Sequence, residues 1–168
     1  MNNVTFEEIA SSIISNSEFM KIDLESHHGI TRYEHSMRVA KYVYKITKKL
    51  NLDYVSATRA AILHDFFKVD EFGDNRGMIQ GVVHPGMSLS NAEVYFDLND
   101  IERNGIEAHM FPLCTKLPKY KESWVITLVD KCVAVYEYSS YKFSIRKFNR
   151  AANLAAILVF YFITMGRR

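Results

Sequence analysis

Residues 54–67 read YVSATRAAILHDFF, and this stretch decides the fold class. It is rich in alanine, the best helix former, and Asp53 stands directly before it with a carboxylate able to accept the first free amide hydrogens of a helix. The small side chains let neighbouring helices approach closely. The spacing therefore predicts a central buried helix that runs through the stretch and carries an adjacent imidazole and carboxylate, His64 and Asp65, near its end.

Working outward, helical spacing persists. Thr31 with Glu34, and Thr5 with Glu8, fit the capping box, in which a hydroxyl and a carboxylate satisfy reciprocal amide groups at a helix start. Helices are expected to begin near residues 6 and 32. In the second, Val39, Val43, Ile46 and Leu50 follow one stripe, and His35 lies one step upstream on it, so His35 faces inward. Downstream, VDEFGDNRGMIQGVVHPG (69–86) holds four of the seven glycines and a proline, and so reads as a long loop reaching His84. Further helices are expected over 87–98, 100–109 and 122–138, the last with an apolar stripe of Trp124, Leu128 and Val135 beside Asp130. No segment shows convincing period-two alternation, so the expected class is all-α.

The 168 residues suit a single domain, 1–168, with a core from about residue 28 to about residue 138 and an apolar helix over about 146–165. A hydrophobic content of 48% with only three prolines excludes a chain disordered over most of its length. A net charge of +2 supplies no field for gripping extended nucleic acid, which is not expected as a partner. Cys114 and Cys132 form no disulfide framework, and the acidic opening MNNVTFEEIA does not read as a signal peptide. A cytoplasmic protein with reduced thiols is expected. The apolar run 151–165 is shorter than the ~20 residues that span a bilayer. It reads as a core or homodimer-packing helix, with a membrane-contacting tail as the alternative suggested by Arg150, Arg167 and Arg168.

The chemistry lies in the remaining polar residues. The informative placements are His35 on an inward stripe, His64–Asp65 near a helix end, His84 after the loop, His109 near a helix end and Asp130 inside an otherwise apolar helix. An ionised carboxylate is costly to bury unless a cation compensates, and imidazoles gathered around a metal provide that compensation. Imidazole nitrogen and carboxylate oxygen suit one or two divalent ions of Fe, Mn, Co, Ni or Zn, and the lack of thiolates in the set argues against structural zinc.

On these residues the chain resembles the HD domain superfamily of metal-dependent phosphohydrolases: His35 in YEHSMRVA, His64 and Asp65 in AAILHDFFK, and Asp130 in WVITLVDK. The resemblance implies a bundle of five or more helices in which His35, His64, Asp65 and Asp130 bind a metal. His84 and His109 fall where dinuclear members carry two further ligands, and there Asp65 would bridge the two ions. Lys68 matches a lysine that contacts substrate phosphate in some members, while Phe67 stands where many have glycine. The signature of cyclic di-GMP phosphodiesterases is missing, and that substrate is not assigned.

The implied activity is hydrolysis of a phosphoester in a nucleotide or other small phosphorylated substrate. Asp65 and Lys68 would be catalytic, Lys68, Arg32 and Arg38 would hold substrate, and residues 70–83 would form a lid. Two alternatives share the ligand set: a mixed-valent di-iron oxygenase, and a regulatory or binding module whose metal only stabilises the helices.

Overall fold

The computed structural model describes residues 3–24, 26–27, 30–67 and 78–165, with side chains described over 3–22, 30–67 and 81–143. Its elements in chain order are α1 (Phe6–Ile14), α2 (Ser17–Met20), a 3-10 turn (Lys21–Leu24), β1 (Ser26–His27), β2 (Ile30–Thr31), α3 (Arg32–Lys49), α4 (Tyr54–Leu63), α5 (Met78–Tyr95), α6 (Asp100–Ala108) and α7 (Lys121–Met165). The fold is all-α. The two short strands form only an antiparallel ribbon, with Ser26 opposite Thr31 and His27 opposite Ile30.

The chain divides into two compact units, Met1–Ala134 and Val135–Arg168. The first contains α1 to α6 and the start of α7. The second is helical through Met165. Residues expected as two separate helices, over 122–138 and 146–165, thus fall within one assigned helix.

The anticipated caps form. Thr5 and Thr31 each complete a capping box with Glu8 and Glu34, and Asp53 accepts the Ser56 amide. α4 packs against α1, α3 and α6, and its Ala57, Ala60 and Ala61 have no exposed surface, so it is the central helix its composition suggested. It ends at Leu63, with His64 as its C-cap, short of the expected end at Phe67.

Three inward faces differ from expectation. On α3 the buried stripe runs His35, Val39, Val43, Thr47, while Ile46 and Leu50 are exposed. Residues four apart trail slightly around the helix, and Thr47 can be buried because its hydroxyl donates to the Val43 carbonyl at 2.7 Å. α5 begins at Met78, so residues 78–86 are helical where a loop was expected, with Pro85 inside the helix. There His84, Ser88 and Ala92 form a buried face at steps of four. The packing of that face outweighs the local preference of Gly81, Pro85 and Gly86, and Gly81 is the residue whose carbonyl the proline leaves without its usual donor. Along α7, Trp124, Leu128 and Val135 are exposed, and the buried positions include Ser123, Ile126, Thr127, Asp130 and Val133. The inward stripe is the one that reaches Gly105 and the histidines, and it is less apolar than the stripe it displaced. The expected 70–83 lid lies outside the described residues as far as residue 77.

Candidate metal centre

Helix ends position most of the site. His64 caps the C-terminus of α4 and His109 that of α6. Each ring Nδ1 lies beside the carbonyl three residues back, Ala61 O at 2.8 Å and Ile106 O at 2.7 Å. A carbonyl can only accept, so each Nδ1 must donate, and in the neutral ring each Nε2 is left as a lone pair aimed away from its helix. The helix-end hydrogen bond that could have been the whole role of such a histidine is instead what orients it.

The other side chains converge on those two lone pairs. His35 Nε2 lies 3.1 Å from Asp130 Oδ1, and the same oxygen is 3.5 Å from His64 Nε2. Asp65 faces two ways: Oδ2 is 3.7 Å from His64 Nε2, while Oδ1 is 3.2 Å from His84 Nε2 and 3.7 Å from His109 Nε2. His84 and His109 meet through their Nε2 atoms at 2.9 Å. All six residues are buried. His64 Nε2 makes no hydrogen bond.

Electrostatics inside the cluster are strongly coupled. Burial drives the His109 pKa down to about 3, with the imidazoles of His64 and His84 adding to the effect, so its ring is neutral near pH 7. Burial also disfavours charge on His64, but Asp65 and Asp130 outweigh it and raise that pKa. For Asp65, burial is opposed by His64, His84 and His109, which hold the carboxyl well below the usual range. Asp130 is likewise held low, its burial offset by the hydrogen bond from His35 and by the His64 imidazole 3.5 Å away.

This donor set fits divalent metal. Ligand atoms about 2.0–2.2 Å from a common ion lie about 2.8–3.6 Å from one another at right-angle and tetrahedral spacing, and the contacts above run from 2.9 to 3.7 Å. Three donor atoms from His35, His64 and Asp130 fall within 4.8 Å of one another, as do three from His64, Asp65 and His109. An unbonded buried imidazole nitrogen, two carboxylates and no thiolate suit a borderline or hard cation.

The HD domain family matches residues 32–135, a span that contains all six donors. The chain belongs to the HD domain family. Similar proteins include ribonuclease Y from two strains of Ureaplasma parvum serovar 3, each 28% identical over 89 residues, which is 53% of this chain and 17% of the relative. The match thus spans only a small part of those relatives' length. No solved structure matches the chain significantly.

Three other residues were expected at the site. Arg32 is buried, and its Nη1 donates to the Phe67 carbonyl at 2.6 Å while the guanidinium stacks over the Phe67 ring. Arg38 is half-buried on α3. Lys68 lies outside the described residues. One contributor was missed: Lys131 Nζ donates to the His109 carbonyl at 3.0 Å, tying the end of α6 to the residue after Asp130. Its lysine reads in sequence as a solvated charge, and only the approach of α6 to α7 reveals the role.

Proposed function

We propose that the chain hydrolyses a phosphoester of a small phosphorylated substrate, nucleotide or other, using a metal-activated water at a dinuclear centre. One observation carries the reading. The two oxygens of Asp65 face different histidines, His64 on one side and His84 with His109 on the other, as a carboxylate shared between two ions would. His35, His64 and Asp130 would hold one ion, His84 and His109 the other, and Asp65 both. Bound divalent ions supply a water acidified toward neutrality and positive charge against phosphoryl oxygens.

The chain's own groups then divide the work. The depressed pKa of Asp65 makes it a weak proton acceptor, which favours ligation over general-base duty. The Nδ1 hydrogen bonds of His64 and His109 hold both rings in the tautomer that presents Nε2. Among the described residues, Asp65, His84 and Asp130 keep slight exposure, whereas His35, His64 and His109 keep 2% or less, so substrate would enter on the carboxylate side. Lys68 is proposed to neutralise charge developing on the phosphoryl group, and Arg38 to hold the substrate anion.

The test is the metal-free protein reconstituted separately with Mn, Co, Ni, Zn or Fe and assayed on nucleotides, cyclic nucleotides and simple phosphomonoesters. A short RNA belongs in the panel because the named relatives are ribonucleases. Turnover with at least one metal, abolished by Asp65→Ala, supports the reading. No turnover with any metal contradicts it, and iron content with an oxygen-dependent spectral change would replace it by the oxygenase. A partner retained by folded Asp65→Ala protein would point to a binding module.

A further inference from the structure

We infer that Lys131 is a positioning residue for His109, holding the ligand-bearing end of α6 against α7 so that the donors of the two proposed ions keep their separation. The inference rests on the dinuclear reading for its consequence, while the contacts that carry it do not. α6 ends at Ala108 with His109 as its C-cap, and the last carbonyls of a helix lack amide donors from a following turn. Side chains supply donors here. His109 Nδ1 donates to the Ile106 carbonyl at 2.7 Å, Thr127 Oγ1 to the Ala108 carbonyl at a longer 3.4 Å, and Lys131 Nζ to the His109 carbonyl at 3.0 Å. Thr127 and Lys131 both come from α7, four residues apart and therefore on one face. Ser123, one turn further back, is buried, and its Oγ stands 3.9 Å from where a Cβ on Gly105 of α6 would lie. A seam of Ser123, Thr127 and Lys131 thus follows α6 to its end.

The seam sets one group of donors against the other. Asp130, the residue before Lys131, directs Oδ1 to His35 and His64 at 3.1 and 3.5 Å. His109 presents Nε2 to His84 at 2.9 Å and to Asp65 at 3.7 Å. The bond from its Nδ1 to Ile106 fixes the His109 ring relative to its own helix, but it does not fix where the end of that helix stands relative to α7. The Lys131 bond does, because it joins the His109 backbone to the residue that follows Asp130. The residue type suits the place: an ammonium meets the negative end of the α6 peptide dipoles and makes a charge-assisted bond, while its half-buried stem packs along the helix. Lys116 supplies the contrast. It also pairs with α6, at 2.7 Å from Glu107, but on an exposed side chain rather than on the backbone of a ligand.

The test uses the full chain with Lys131→Met, which keeps the stem and removes the donor, and with Lys116→Met as the control. Lys131→Gln, whose shorter stem stops short of the carbonyl, replaces Lys131→Met if that variant folds poorly. The first readout is side-chain NMR of metal-free protein. The His109 ring lies 4.8 Å from the His64 ring and 4.9 Å from the His84 ring, so its resonances carry their ring-current displacement. Those resonances should shift in the Lys131 variant and stay in place in Lys116→Met. The second readout is calorimetric titration with Mn. The equivalent that His109→Ala abolishes should weaken by about 10–100-fold in the Lys131 variant, the size typical when a residue supporting a ligand is removed, while the other equivalent is unchanged. Unmoved His109 resonances in the folded Lys131 variant would overturn the inference, as would equal weakening of both equivalents. If the unmodified protein takes up only one equivalent while the His109 resonances shift as expected, the dinuclear reading fails and the positioning role stands.

Discussion

Replacing Gly105 by alanine puts the packing account to a test of sign. In an ordinary helix interior Gly→Ala is stabilising by about 1 kcal/mol. Here a Cβ would lie 2.8 Å from Ile126 Cδ1 and 3.0 Å from Ala60 Cβ. The Ile126 methyl can rotate aside, but the Ala60 Cβ moves only with its backbone, so α6 and α4 must separate by about 0.5–1 Å to reach ordinary carbon contact distances. Overpacking of that kind costs about 1–3 kcal/mol, and with the propensity gain subtracted the net loss is about 1 kcal/mol, or a Tm drop of about 2–4 °C. The same contact sits between α4, α6 and α7, which carry His64, His109 and Asp130. Metal affinity should therefore fall together with stability. Gly86→Ala is the control, because its Cβ would meet nothing within 4 Å, and it should stabilise. Denaturant unfolding and metal titration of both variants measure the effect. If Gly105→Ala stabilises as Gly86→Ala does, the close approach of the three helices is wrong.

Asp65→Asn should leave the helical spectrum intact but abolish tight binding of both metal equivalents, read by calorimetry, since the residue faces both donor groups. Glu102→Ala should cost about 2 kcal/mol in urea unfolding: it removes the N-cap bond to Asn99 and leaves Arg59 without the partner at 2.6 Å, the charge loss being discounted because Arg59 is partly exposed. Metal-free protein should lose stability as pH falls from about 6.5, because the unfolded chain protonates His109 there and the folded chain does so only near 3. The loss should steepen below about pH 4, where the depressed Asp65 and Asp130 carboxylates add to it, while His64, whose folded pKa is raised, contributes a constant amount over that range. Unfolding midpoints that stay flat from pH 6.5 to 3 would refute the buried neutral state of His109.

Much of the site could be read from sequence because its signals are local and chemically costly. An aspartate in an apolar helix at 130, a histidine–aspartate pair at the end of an alanine-rich helix, and histidines at 35, 84 and 109 each need an explanation that a metal gives, and the structure gathers all six into one buried cluster. The caps at Thr5, Thr31 and Asp53 were legible for the same reason, since a cap is a contact three residues long. Long-range packing was not legible. Periodicity shows that α7 has an apolar stripe at Trp124 and Leu128, yet whether that stripe or the one through Ser123, Ile126 and Asp130 faces inward depends on which partner helix offers a gap, here beside Gly105. The helical state of residues 78–86 was hidden by a proline and two glycines whose preferences the buried face of α5 overrides. The Arg32 contact with Phe67 spans 35 positions and leaves no periodic trace.

The most direct test of the central claim is anomalous diffraction at the edge of the metal carried by protein crystallised with its metal. The account predicts two divalent ions per chain, one among His35, His64 and Asp130, the other against His84 and His109, with Asp65 touching both. A single ion far from these residues, or His84 and His109 still hydrogen-bonded to each other in metal-loaded protein, would contradict it.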